Sequence, residues 1–168
     1  MVEYEGDPMR RLIDHLRISS SHDFAALALP REDGRTYAWH YASGNMNHRY
    51  KGMVIKRGKG LPGLAWRLGE AVISDSSSID TAGEKLDCAL MTAEGLHAAA
   101  AVPIGPLAAP SGIIMLGIRQ ARLYTTTELQ YLDSCAIEVG RAIQIHNHGL
   151  HTEQSHNPQP SVFETGPL

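Results

Sequence analysis

The stretch VIKRGKGLPGLAW, Val54 to Trp66, carries the residues best placed to do chemistry. Inside it, Gly58-Lys59-Gly60-Leu61-Pro62-Gly63 spells G-x-G-x-x-G, the pattern that lets backbone approach a dinucleotide pyrophosphate. That use needs a strand before the loop and a full crossover helix after it. A strand is expected over Tyr50 to Lys56, and Asp75 follows at a tolerable distance for a ribose-binding acid. The helix fails: Pro62 to Leu68 is too short for a crossover, which takes about 10–12 residues. A P-loop fails as well, because no Gly-Lys-Ser/Thr follows the glycines. What survives is a helix entrance. Its first amides lack intrahelical partners, and with the helix dipole they can hold an anion. Trp39 could add an indole N–H, which only donates. From spacing alone the plainer reading is preferred: Trp39 is core and the glycines merely turn the chain.

Other reactive side chains are few. The two cysteines, Cys88 and Cys135, form no Cys-x-x-Cys and are too few for a disulfide framework. A reducing cytoplasm is the expected setting. His97 opens an apolar strand and is read as a hydrogen-bonding residue, not a heme or bilin ligand. His146, His148 and His151 crowd the end of the last helix, but their spacing does not share one helical face. A frayed terminus is expected there, and no metal site.

The elements that must position these residues can be read from periodicity. Asp7-Pro8 opens a helix whose apolar face is Met9, Leu12, Ile13 and Leu16. Phe24 to Leu29 and Thr36 to Ala42 read as a hairpin, with Tyr37, Trp39 and Tyr41 expected on one face. Ala71 to Ser74 is a brief strand, and Gly83 to Ala93 a weak helix. Leu96 to Ile104 and Gly112 to Ile118 are so continuously apolar that both faces must be covered. Thr125-x-x-Glu128 is a capping box before a long helix with Leu129, Leu132, Ala136, Val139 and Ile143 along one side. This is an α+β pattern: helix, antiparallel strands, closing helix. Residues 1–149 are expected to form one domain and residues 150–168, rich in proline and polar residues, a mobile tail.

Composition excludes more than it selects. The chain has 168 residues and a formal net charge of −3, so bulk charge names no partner and gives no reason to expect nucleic acid. Its distribution is uneven. From Gly34 through Gly69 there is no acid, yet Arg35, Arg49, Lys51, Lys56, Arg57, Lys59 and Arg67 all fall there. Such a segment is a solvated basic face or a positive field for an anion. The acidic N-terminus lacks the apolar run of a secretory signal. No stretch approaches the ~20 apolar residues of a membrane span.

Three segments resemble the GAF domain family in the family's order: GKGLPGLAWRLGEAVISD (Gly58 to Asp75), EGLHAAAAVPIG (Glu94 to Gly105) and GIIMLGIRQARLYTTTELQYL (Gly112 to Leu132). The resemblance implies an antiparallel sheet of about six strands with the N- and C-terminal helices packed together on one face. WHYASGNMNHRYKGMVIKRGKGLPG (Trp39 to Gly63) is similar to the stand-alone nitrate receptors of that family. That likeness implies a cytoplasmic, non-enzymatic sensor of nitrate or a similar monoanion, without cofactor. It also implies a partner, the sensor histidine kinase of a two-component system, and a homodimer through the terminal helices. Carried over by motif, the ligand-binding residues are Trp39, the helix entrance Leu61, Pro62, Gly63 and Leu64, and a donor near Met91. The chain departs from that pattern at Pro62, which has no N–H; Gly63 or Leu64 would have to substitute.

Two other classes remain open. GAF-type free methionine-(R)-sulfoxide reductases share the glycine loop, but carry a cysteine where this chain has Pro62, and Cys88 is off their spacing. A GAF dimerisation or interaction module binding another small ligand is the third. The Asn-Lys-x-x-x-Asp/Glu motif of nucleotide-binding GAF domains is missing.

Overall fold

The computed structural model describes residues 6–76 and 88–154, the side chains of 150–154 excepted. In chain order the elements are α1 (Pro8–Ser19), β1 (Phe24–Pro30), β2 (Thr36–Ser43), a 3-10 turn (Arg49–Gly52), β3 (Val54–Lys56), α2 (Gly60–Leu68), β4 (Val72–Ser74), α3 (Ala89–Glu94), β5 (Ala98–Ile104), β6 (Gly112–Ile118) and α4 (Thr126–Gln154). The strands form one six-stranded sheet in the order β3-β2-β1-β6-β5-β4, and every pairing is antiparallel. The expected α+β architecture is present, and no parallel βαβ unit exists among the described residues for a dinucleotide to use.

Strand alternation sorts the core into two clusters, one on each side of the sheet. Ala25 and Leu27 of β1, Ala100 and Val102 of β5, and Ile114 and Leu116 of β6 face one way, where α1 and α4 cover them. Phe24, Ala26 and Ala28, Ala99 and Ala101, Ile113 and Met115 face the other way, under α2 and α3. The two long helices on the first side follow from their sequences. Asp7 caps α1 by accepting from the Met9 amide at 2.9 Å. In the capping box of α4, the Glu128 amide donates to Thr125 Oγ1 at 3.1 Å and the Thr125 amide to Glu128 Oε1 at 3.2 Å. Each aliphatic side chain sealed between helix and sheet contributes about 1.5–3 kcal/mol.

Several elements differ from their sequence-based expectations. In the β1–β2 ladder Leu27 stands opposite Tyr41 but Ala28 opposite Trp39, so His40 is an extra, unpaired residue. That bulge moves Tyr41 to the α1–α4 side, while Tyr37 and Trp39 stay on the α2–α3 side. The three aromatics therefore do not share a face. The third strand is only Val54–Lys56; Tyr50 lies in the 3-10 turn, buried. The helix expected from Gly83 is described only as Ala89–Glu94, since residues 83–87 lie outside the described residues. α4 runs on to Gln154, beyond the boundary expected at residue 149, so His146, His148 and His151 lie in helix. Residues 155–168 lie outside the described residues. No described helix is long and apolar enough to cross a membrane, and no described cluster of His, Cys, Asp or Glu could hold a metal ion.

Candidate functional site

The glycine loop is a tight knot whose shape depends on two glycines. Gly58 takes a φ of 79°, and its amide donates to the Gly63 carbonyl at 2.7 Å. The Lys59 amide donates to the Lys56 carbonyl at 3.1 Å, closing a turn directly after β3. Gly63 lies so close to that turn that a Cβ there would sit 2.2 Å from the Lys56 oxygen. Gly60, the first residue of α2, has a φ of 65°. Right-handed dihedrals therefore start no earlier than Leu61, and Pro62 falls within the first turn, where its fixed φ suits the helix. The amides of Gly60 and Leu61 precede any intrahelical acceptor. No acidic side chain occupies this first turn, and Lys56, Arg57 and Lys59 are exposed around it.

A cavity of about 210 Å³ opens at this entrance. Its walls come from four elements. Trp39 is supplied by β2, Met53, Val54 and Ile55 by β3 and the residue before it, Lys59, Gly60 and Pro62 by the loop and α2, and Cys88, Ala89 and Leu90 by the start of α3. The volume is below the ~300–1,000 Å³ typical of sites for drug-sized molecules, which again excludes a dinucleotide. Trp39 is only 5% exposed, and its indole N–H donates to none of the described residues. The residue is largely buried but its Nε1 is not sealed from solvent, and a donor without a protein acceptor at the edge of a cavity is a natural ligand contact. Met53, Val54, Ile55, Pro62 and Leu90 give the cavity a partly apolar lining.

The far end of α3 is anchored by a buried ion pair. Glu94 is fully buried; its Oε2 accepts from Arg119 Nη2 at 3.0 Å and from the Met46 amide at 2.7 Å. Arg119 Nε also donates to the Glu94 carbonyl at 2.9 Å, and Asn47 Nδ2 to the Ala93 carbonyl at 2.8 Å. Glu94 Oε1 has no partner. This clamp ties α3, and with it one cavity wall, to the β2–β3 connection and the end of β6.

Of the residues singled out from sequence, the cavity brings together Trp39 and Pro62. Leu61 and Gly63 are buried beside it, Leu64 and Met91 are half-buried, and none of these four borders it. On α3 the bordering residues come just before Met91. Lys59, Gly60, Val54 and Cys88 were not expected from sequence. Lys59 and Gly60 could have been found by asking which donors precede the proline. Asp75, once considered as a ribose acid, is buried and accepts from the Tyr124 amide at 3.0 Å. The His97 side chain is exposed, and only its amide is used in the sheet, donating to Ile118. Cys135 packs in the α1–α4 cluster, where burial pushes its thiol pKa up.

A larger groove of about 510 Å³ runs between α4 and the β4–β5 edge. Its polar margin is Glu70, Asp133 and Arg141, all exposed, and neither the α2 entrance nor the Trp39 indole borders it. The smaller cavity is therefore the better candidate.

No family profile and no curated protein sequence matches the chain. Solved structures do. The NreA protein of Staphylococcus aureus, in a form mutated in its nitrate binding site, is 28% identical with a TM-score of 0.58, covering 70% of this chain and 87% of that chain. The GAF domain of a phosphoenolpyruvate-protein phosphotransferase from Coxiella burnetii is 19% identical with a TM-score of 0.67, over 88% and 89% of the two chains. A free methionine-R-sulfoxide reductase from Neisseria meningitidis is 14% identical with a TM-score of 0.67, over 84% and 78%. The last two likenesses concern the fold alone. The chain has the GAF fold, and its likeness to NreA extends to sequence.

Proposed function

We propose that this GAF-fold chain, similar to NreA, is a receptor for nitrate or a closely related small monoanion and has no catalytic role. The observation that carries the reading is the meeting of the α2 entrance with the unpartnered indole N–H of Trp39 at one small cavity. Neutral donors in a partly apolar site suit a weakly hydrated monoanion, because phosphate costs more to desolvate. The NreA likeness supports nitrate as the first anion to try. In this reading the receptor works in the cytoplasm, and ligand shifts its affinity for a sensor histidine kinase by favouring one of two conformations. A homodimer through α1 and α4 belongs to the same proposal.

Calorimetric titration with nitrate, nitrite, chloride and phosphate tests it. Saturable heat with millimolar nitrate, weakened several-fold by Trp39→Phe, is the expected result. No heat and no thermal shift with nitrate would remove the reading.

One observation favours a second reading. Cys88 borders the cavity, as a thiol that reduces methionine sulfoxide would have to. Such chemistry also needs a resolving thiol, and the only other cysteine, Cys135, lies across the sheet in the opposite cluster. Turnover of free methionine sulfoxide that is lost in Cys88→Ser would establish the enzyme; we expect none.

A further inference from the structure

The receptor reading leaves open what supplies the counter-charge, and the inference that follows rests on that reading. Lys59 borders the cavity, and its ammonium forms no ion pair among the described residues. Its backbone is fixed by the bond from its amide to Lys56, so the stem of the side chain starts from a set point at the mouth. Among the described residues, no acid borders the cavity. Lys56 and Arg57, the neighbouring cations, do not border it either.

We propose that the Lys59 ammonium sits against the bound anion as its single counter-charge, replaces the donor that Pro62 cannot provide, and makes the site selective for singly charged anions. One cation with neutral donors balances one negative charge. A dianion such as sulfate would keep an uncompensated charge beside the apolar wall of Val54, Ile55 and Leu90, which is costly. An uncharged ligand would gain nothing from the cation. Charge-assisted hydrogen bonds are roughly twice as strong as neutral ones, so losing this one should be visible in affinity.

The test compares wild type, Lys59→Gln, Lys59→Arg and the double variant Lys56→Gln/Arg57→Gln in nitrate titrations, with sulfate as the dianion. Lys59→Gln is expected to weaken nitrate binding about tenfold, corresponding to one charge-assisted contact. Lys59→Arg keeps affinity within about threefold because the charge remains, and the double variant stays within about twofold because exposed charges are screened. The melting temperature without nitrate is unchanged in Lys59→Gln, while its nitrate-induced rise shrinks, a pattern that a merely structural role would not produce. Sulfate binds wild type at least tenfold more weakly than nitrate. Wild-type affinity in Lys59→Gln overturns the proposal, as does an equal loss in the double variant, which would indicate a diffuse field instead of a contact. Sulfate binding as tight as nitrate overturns the claim of monoanion selectivity. Wild type failing to bind nitrate at all sinks the receptor reading itself, a result distinct from each of these.

Discussion

The two sides of the sheet are built from different materials. On one side two long amphipathic helices, α1 and α4, lie over aliphatic strand residues, with Ile13, Leu27, Leu116 and Leu132 sealed from solvent. On the other side the cover, among the described residues, consists of short pieces: a 3-10 turn, the nine residues of α2 and the six of α3. Long helices lay a continuous ridge along a sheet. Among the described residues the cavity opens between the start of α2 and the start of α3. Aromatic residues fill much of what remains: Trp66 meets Tyr37 edge-on at 4.6 Å between ring centroids. The comparison teaches a division of labour. The first side carries cohesion, and the second combines a void, an unpartnered donor and a positive rim.

The strongest way to break that division is at the clamp on the cavity side. Arg119→Met would leave the Glu94 carboxylate buried without its cation, a change that costs about 3–5 kcal/mol in comparable pairs. Urea unfolding should show that loss, and nitrate affinity should fall with it because α3 is no longer held. If stability drops while affinity is untouched, the clamp serves cohesion alone and the comparison blurs.

A second test concerns the helix side. His22 is buried, its Nε2 3.0 Å from the Tyr124 hydroxyl and its Nδ1 2.8 Å from Ser20 Oγ. Burial, and then the nearby Arg122 charge, hold its pKa down to about 4 from the ordinary 6.5. The unfolded chain takes up the proton first as pH falls. Stability should therefore be flat above pH 6.5 and decline as pH drops toward 4, by up to about 3 kcal/mol from this group. His22→Asn should flatten that part of the profile. Nitrate affinity measured at neutral pH should not change, since His22 lies away from the cavity. An unchanged pH profile in the variant would show that the buried imidazole is not responsible.

The smallest stability effect is expected at the loop. Gly63→Ala puts a methyl group 2.2 Å from the Lys56 carbonyl, so the turn must shift at a cost of about 1–3 kcal/mol. That cost is modest beside the loss of nitrate affinity, which should exceed tenfold as the α2 entrance moves. Retained affinity would show that the entrance does not contact the ligand.

Much of the helix side was legible in the sequence because its signals are local and periodic. The apolar face of α1, the capping box of α4 and the continuous runs of β5 and β6 each announce themselves within a few turns or residues. The cavity side was read less well, for three physical reasons. The bulge at His40 contains no glycine or proline, so nothing local marks the switch that parts Tyr41 from Trp39. α3 is too short to show a period, so nothing local marks Cys88 to Leu90 as the stretch that borders the void. The Glu94–Arg119 pair joins residues distant in sequence, and no spacing rule connects them. The glycine loop reads as a helix entrance because the helix after it is too short for a crossover and no Gly-Lys-Ser/Thr follows. That Lys59 and Gly60 face the cavity, with Pro62 beside them, emerged only from the fold.

The central claim, that the cavity side receives an anion at Trp39, has a direct spectroscopic test. The chain holds two tryptophans, Trp39 at the cavity and Trp66 in the core behind it, so an amide proton–nitrogen spectrum has two indole signals to follow. Trp66 Nε1 is sealed from solvent without a partner and does not border the cavity. On addition of nitrate, the Trp39 indole signal and the Gly60 amide should shift along one saturable curve while the Trp66 indole stays in place. Two stationary indoles, or a shift confined to Trp66, would contradict the account.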